Sequence, residues 1–143
     1  MKIPTFAPEH FARVRQVDTM KRKQFIKGIN QIAQEGAIQI FQEYNTGMEE
    51  IIVGVVGVLQ FDVLKYRLEN EYNVEIRLEN LPYEYIRWIE NEEIDLDKLT
   101  GTSDMKKVKD LKGRPLLLFV NEWSIRMTVD RNEGLKLTEF GRS

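Results

Sequence analysis

The chain has 143 residues, a net charge of −2, one histidine and no cysteine, a length that makes one domain, or one compact core with an appended lobe, with enough sequence to bury that core. Without cysteine there are no disulfides, thiolate metal sites or cysteine nucleophiles, and a lone His10 leaves no histidine-based metal cluster. No apolar run nears the roughly 20 residues of a membrane span, and MKIPTFAPEH lacks the charged-then-apolar order of a signal peptide, so a cytoplasmic protein is expected.

Phe11–Val17 (FARVRQV) alternates large and polar residues and predicts a strand. Asp18 suits a helix N-cap, its carboxylate at the positive end of a helix running to about Glu35. At about 100° per residue, Phe25, Ile29, Ile32 and Ala33 fall on one stripe, with Lys23 and Lys27 on the far side. Gly36 supplies the left-handed residue that ends it. Ala37–Phe41 predicts a second strand, Tyr44–Gly47 a turn and Ile51–Val56 a third strand, which together make a hairpin. A helix over Val58–Asn70 and a strand over Val74–Leu78 follow. The order is β-α-β-β-α-β, a ferredoxin-like split βαβ plan with two helices on one face of a sheet. The expected fold class is therefore α+β, a two-layer sandwich.

The second helix carries more apolar surface than one sheet needs. Phe61, Leu64 and Leu68 form a core stripe, while Leu59, Val63 and Tyr66 lie well round the cylinder on a second patch that calls for a cover. Candidates for the cover lie downstream: a strand Tyr83–Ile89, a polar helical stretch near Asp95–Asp110, a strand Leu116–Val120, a short helix Glu122–Arg131 and a last strand Leu135–Phe140. Pro82 and Gly113-Arg114-Pro115 punctuate this half. Residues 1–80 read as the core, and residues 81–143 as a β-α-β lobe packed on it or extending its sheet.

Evidence for catalysis is thin. Gly54 and Gly57 fall between strand and helix, but no G-K-[ST] follows as a phosphate loop requires, and the dinucleotide fingerprint G-x-G-x-x-G is missing. Their structural reading is a close approach within a strand at Gly54 and a tight helix entry at Gly57. His10 reads as an ordinary turn residue. Glu92, Glu93, Asp95 and Asp97 lack the glycine and bidentate glutamate of a calcium loop. Trp88 and Trp123 sit in apolar runs and read as core. No catalytic residue, metal site or cofactor is assigned.

Charge is more informative. Between Phe11 and Gln34, Arg13, Arg15, Lys21, Arg22, Lys23 and Lys27 face Asp18 alone, whereas Glu69–Asp97 holds ten acids against Arg77 and Arg87. Arg13 and Arg15 are two apart on one strand face, and Lys23 and Lys27 share a helix face. Such a cluster suits RNA phosphates. The third strand, Ile51–Val56, has no aromatic residue on which to stack bases as an RRM does, so backbone or protein contact is the reading. A small-molecule regulatory domain of the same plan, binding its ligand at a dimer edge, is the alternative.

Several stretches resemble a known family. GVLQFDVLKYRLENEYNVE (Gly57–Glu75), FAPEHFARVR (Phe6–Arg15), KQFIKGINQIAQEGAIQIF (Lys23–Phe41) and YEYIRWIE (Tyr83–Glu90) resemble the C-terminal domain of the bacterial peptide chain release factor 3 family, class II release factors that are translational GTPases. The likeness is dense over Pro4–Glu90 and looser through RPLLLFVNEW (Arg114–Trp123) to Phe140. More distantly, the element order resembles the third domain of translocation GTPases. The resemblance implies an isolated C-terminal domain without its GTPase and barrel domains, which neither binds nor hydrolyses GTP. GTP and Mg2+ belong to the full-length protein, which removes class I release factors from the ribosome. The implied partners are the ribosome (rRNA and ribosomal protein), the protein's own GTPase domain and, indirectly, a class I release factor, with no membrane and no DNA. Arg13, Arg15, Lys21, Arg22, Lys23 and Lys27 are the candidate ribosome contacts, and Leu59, Val63 and Tyr66 the interdomain or interlobe patch.

Overall fold

The computed structural model describes residues 7–43 and 51–139. In chain order the elements are β1 (His10–Gln16), α1 (Arg22–Gln34), β2 (Gln39–Glu43), β3 (Ile51–Val55), α2 (Leu59–Glu71), β4 (Ile76–Leu81), β5 (Tyr85–Ile89), β6 (Lys106–Asp110), β7 (Pro115–Phe119), α3 (Glu122–Arg131) and β8 (Leu137–Thr138). Among the described residues the eight strands belong to one sheet in the order β4-β1-β3-β2-β6-β7-β5-β8, and their pairs are antiparallel. The fold class is α+β, as expected. The turn expected at Tyr44–Gly47 and the end of the last strand at Phe140 lie outside the described residues.

Local chemistry explains the first half. Asp18 accepts a hydrogen bond from the Met20 backbone N–H at 3.0 Å and opens a short 3-10 turn that leads into α1. Gly36 closes that helix with φ of 86°. One face of β1, β2 and β3 presents Ala12, Val14, Ile40, Ile51 and Val53 to Phe25, Ile29 and Ile32 of α1 and Phe61, Leu64 and Leu68 of α2. The helices cross closely because Gly28 has no side chain: a Cβ there would lie 2.7 Å from Leu68 Cδ2. Gly54 likewise permits close approach, since a Cβ there would lie 2.8 Å from Pro8.

The second half does not cover α2. Its strands join the sheet edge through β2 and β6, with Phe41 opposite Asp110, Gln42 opposite Lys109 and Glu43 opposite Val108. The sheet then curls back on itself. Leu81 of β4 connects to Tyr85 of β5 through only Pro82, Tyr83 and Glu84, a reach of at most about 14 Å. In a flat sheet those strands, six positions apart, would be about 29 Å from each other. Curling resolves the mismatch and closes the inner face around Phe11, Phe41, Ile52, Ile86, Trp88, Val108, Leu116 and Leu118. On the outer face, Ile89, Leu117 and Phe119 pack against Leu96, Leu99, Ile125 and Leu135.

The polar helix expected near Asp95–Asp110 is absent. Asp95 does act as a cap, accepting from the Asp97 N–H at 3.0 Å, but the turn it opens covers only Leu96–Lys98. Lys106–Asp110 is instead β6, hydrogen-bonded to β2 on one side and β7 on the other. Backbone pairing on both edges outweighs the weak local preference of a lysine-rich segment. The C-terminal extension therefore reads β-β-β-α-β, not β-α-β.

Candidate functional site

Two surfaces stand out, both on helices whose inner faces are spent on the core. The first is the outer ridge of α2, where Leu59 is 73%, Val63 44% and Tyr66 67% exposed. Their spacing of four and three residues stacks them along one line, turned away from Phe61, Leu64 and Leu68. Val56 and Val58, also exposed, extend the ridge past the helix start. At that end opens a cleft of about 300 Å³ lined by Phe11, Val58, Phe61, Leu81, Pro82 and Tyr83 with the polar Glu9, His10, Asn80 and Glu84. The strands that might have covered the ridge lie on the sheet's other face, so it faces solvent.

The six basic residues do not share one surface. Arg13 and Arg15 alternate with Ala12 and Val14, so they point to the inner face of the sheet, away from the helices. Arg13 is largely buried, with its Nη2 2.5 Å from Glu43 Oε1 and its Nη1 3.5 Å from Glu79 Oε2. Arg15 stands 3.9 Å from the same Glu79 carboxylate. Lys106 reaches Glu43 from β6 at 3.4 Å. Burial pushes the Glu43 carboxyl up, but the Arg13 hydrogen bonds and the Lys106 charge outweigh it and hold the group below the usual carboxylate value. Burial raises the nearby Tyr83 hydroxyl.

The other four lie on the helix side. Lys21 Nζ donates to the Asn73 carbonyl at 3.0 Å, tying the start of α1 to the end of α2. Arg22, Lys23 and Lys27 are exposed on α1, and among the described residues Lys23 and Lys27 form no ion pair. Across the helix pair, Arg67 of α2 donates to Glu35 and Glu71 and draws both carboxyls below their usual value.

Sequence reasoning missed a third feature. Lys106, Lys107, Lys109, Lys112 and Arg114 crowd the β6–β7 hairpin against Asp110 alone. The signal was present in Asp110-Leu-Lys-Gly: Asp110 Oδ1 accepts from the Lys112 and Arg114 N–H groups at 2.9 Å, and Gly113 takes φ of 81°. Trp88 is buried as expected, but Trp123 is 55% exposed because it falls on the outer side of α3 while Ser124 and Thr128 turn inward. His10 opens β1 instead of sitting in a turn. Among the described residues no group of three or more His, Cys, Asp or Glu could hold a metal ion, and no helix is long and apolar enough to cross a membrane.

The family model described as class II release factor RF3, C-terminal domain, matches residues 1–129. Peptide chain release factor 3 of Symbiobacterium thermophilum is 49% identical over 133 residues, covering 93% of this chain and 25% of that protein. Its namesake in Ligilactobacillus salivarius is 44% identical over 137 residues, 96% of this chain and 25% of the relative. That of Listeria welshimeri is 44% identical over 139 residues, 97% and 26% respectively. The chain thus spans about a quarter of the length of these curated relatives.

Proposed function

The chain belongs to the class II release factor family, to its C-terminal domain, and from that premise we propose that it is a docking and ribosome-contacting module of a translation termination factor. In this reading the rest of the factor binds and hydrolyses GTP with Mg2+ in the cytoplasm, and it promotes the departure of class I release factors from the ribosome. The C-terminal domain contributes position: one surface holds the GTP-binding part, another the ribosome, so nucleotide state is felt as orientation.

The observation that carries this reading is the bare ridge Leu59-Val63-Tyr66 with its adjoining cleft. Contiguous exposed apolar surface of this kind marks an interface, and among the described residues the curled sheet leaves this ridge uncovered. The relatives hold three quarters of their length outside the matched region, so the occupant is the remainder of the same factor. The exposed Lys23 and Lys27 on α1 are then left for ribosomal phosphates.

The test uses Leu59→Asp with Val63→Asp in the full-length factor and in the isolated domain. The isolated domain should melt as before, because both side chains already face water. The full-length factor should lose the common melting transition of its domains and the nucleotide dependence of its ribosome release. Retention of both would defeat the docking assignment.

A further inference from the structure

We propose that the outer face of β6 is a phosphate-contacting strip for RNA backbone, with Lys107 and Lys109 as its two central cations; this rests on the ribosome-contacting reading above and adds a site to it.

The placement follows from strand geometry. Val108 and Asp110 turn to the inner face, where Val108 joins the interior cluster and Asp110 holds Arg114 at 2.7 Å. Lys107 and Lys109 therefore share the outer face, about 6.8 Å apart along the strand. Lys107 lies beside Leu117 of the apolar cluster beneath α3, and Lys109 beside Gln42 of β2.

Charge separates across this strand. The acids that could neutralise the hairpin are used on the inner side: Glu43 by Arg13 and Lys106, Asp110 by Arg114. On the outer side the cross-strand neighbours are uncharged, Gln42 opposite Lys109 and Leu117 opposite Lys107. Among the described residues Lys107, Lys109 and Lys112 form no ion pair. The result is a row of unneutralised cations held by backbone at fixed spacing in a chain whose net charge is −2. Uncompensated lysines at a fixed spacing complement a polyanion, and each phosphate they neutralise releases counterions. Lys112, exposed at the hairpin turn, extends the row. The α1 cations Lys23 and Lys27 stand on the same side of the sheet, which favours one long nucleic-acid footprint over an acidic peptide.

The experiment compares the full-length factor with its Lys107→Gln/Lys109→Gln and Lys107→Arg/Lys109→Arg variants, titrated with purified ribosomes and, separately, with protein-free ribosomal RNA across a salt series. The Gln pair should make the slope of log K against log salt shallower by about 1.5 on both partners, as the loss of two phosphate contacts requires, with unchanged melting. The Arg pair should keep the parental slope. An unchanged slope for the Gln pair overturns the strip while the parent's own ribosome binding leaves the broader reading standing. A loss on ribosomes alone assigns the contact to a ribosomal protein and also overturns it. If the parent binds neither partner, both readings fall.

Discussion

Arg13 and Glu43 are joined over the top of an intervening strand: β3 lies between β1 and β2, yet Arg13 Nη2 and Glu43 Oε1 are 2.5 Å apart. The same carboxylate draws in Lys106 from β6, so one side chain links three strands and both halves of the sheet. That makes Arg13 part of the internal framework.

Glu43→Gln should therefore destabilise the domain by about 1–3 kcal/mol, the usual worth of hydrogen bonds to a charged, largely buried group. Because folding lowers the Glu43 pKa, its contribution is full above the unfolded value near 4.3 and is lost as pH falls through the folded one. Urea melts between pH 3 and 7 should show the difference between parent and variant shrinking at the acid end. A constant difference would disprove the linkage.

Lys23→Glu with Lys27→Glu should leave urea stability within about 0.5 kcal/mol, as for exposed sites generally. In the full-length factor it should weaken ribosome association by about tenfold at low salt, with the gap narrowing as salt rises. Cosedimentation at two salt concentrations decides it. Arg13→Ala should show the opposite pattern, a stability loss first.

Gly28→Ala sets helix propensity against packing. Alanine favours a helix by about 1 kcal/mol over glycine, but its methyl would sit 2.7 Å from Leu68 Cδ2 and 2.8 Å from Tyr72 Cγ. Overpacking should win, with a net loss of about 1–3 kcal/mol. Gly57→Ala, which meets nothing within 4 Å, should stay within about 0.5 kcal/mol of the parent.

Asn132 clamps the loop before β6 to α3. Its Nδ2 donates to the Thr100 and Thr128 carbonyls at 2.6 and 2.7 Å, and its Oδ1 accepts from the Thr100 N–H at 3.0 Å. Asn132→Ala should cost about 1–3 kcal/mol and speed amide exchange over residues 99–105 while leaving β1–β4 protected. Uniform acceleration would argue against a local clamp.

Where the pattern of a segment decides its fate, the sequence was readable. α3 begins and ends at Glu122 and Arg131 as expected, and the apolar stripes of α1 and α2 bury the residues anticipated: Phe25, Ile29, Ile32, Phe61, Leu64 and Leu68. β6 was not readable, because Val108 is its only apolar residue and its partners β2 and β7 make it a strand. The curl was equally hidden, arising from a short link set against a long strand order. Of the candidate contacts, Lys23 and Lys27 appear on an exposed face as their spacing implied, while Arg13 is held inside because the acids of β2 and β4 are brought beside it.

The short passage from Leu81 to Tyr85 has a practical outcome for anyone dividing this molecule. A polypeptide stopped after Leu81 would lose the lid over Phe11, Phe41 and Ile52 and show water a broad oily palm, inviting self-association. The two halves should accordingly melt together, and the smallest piece worth expressing is the whole curl.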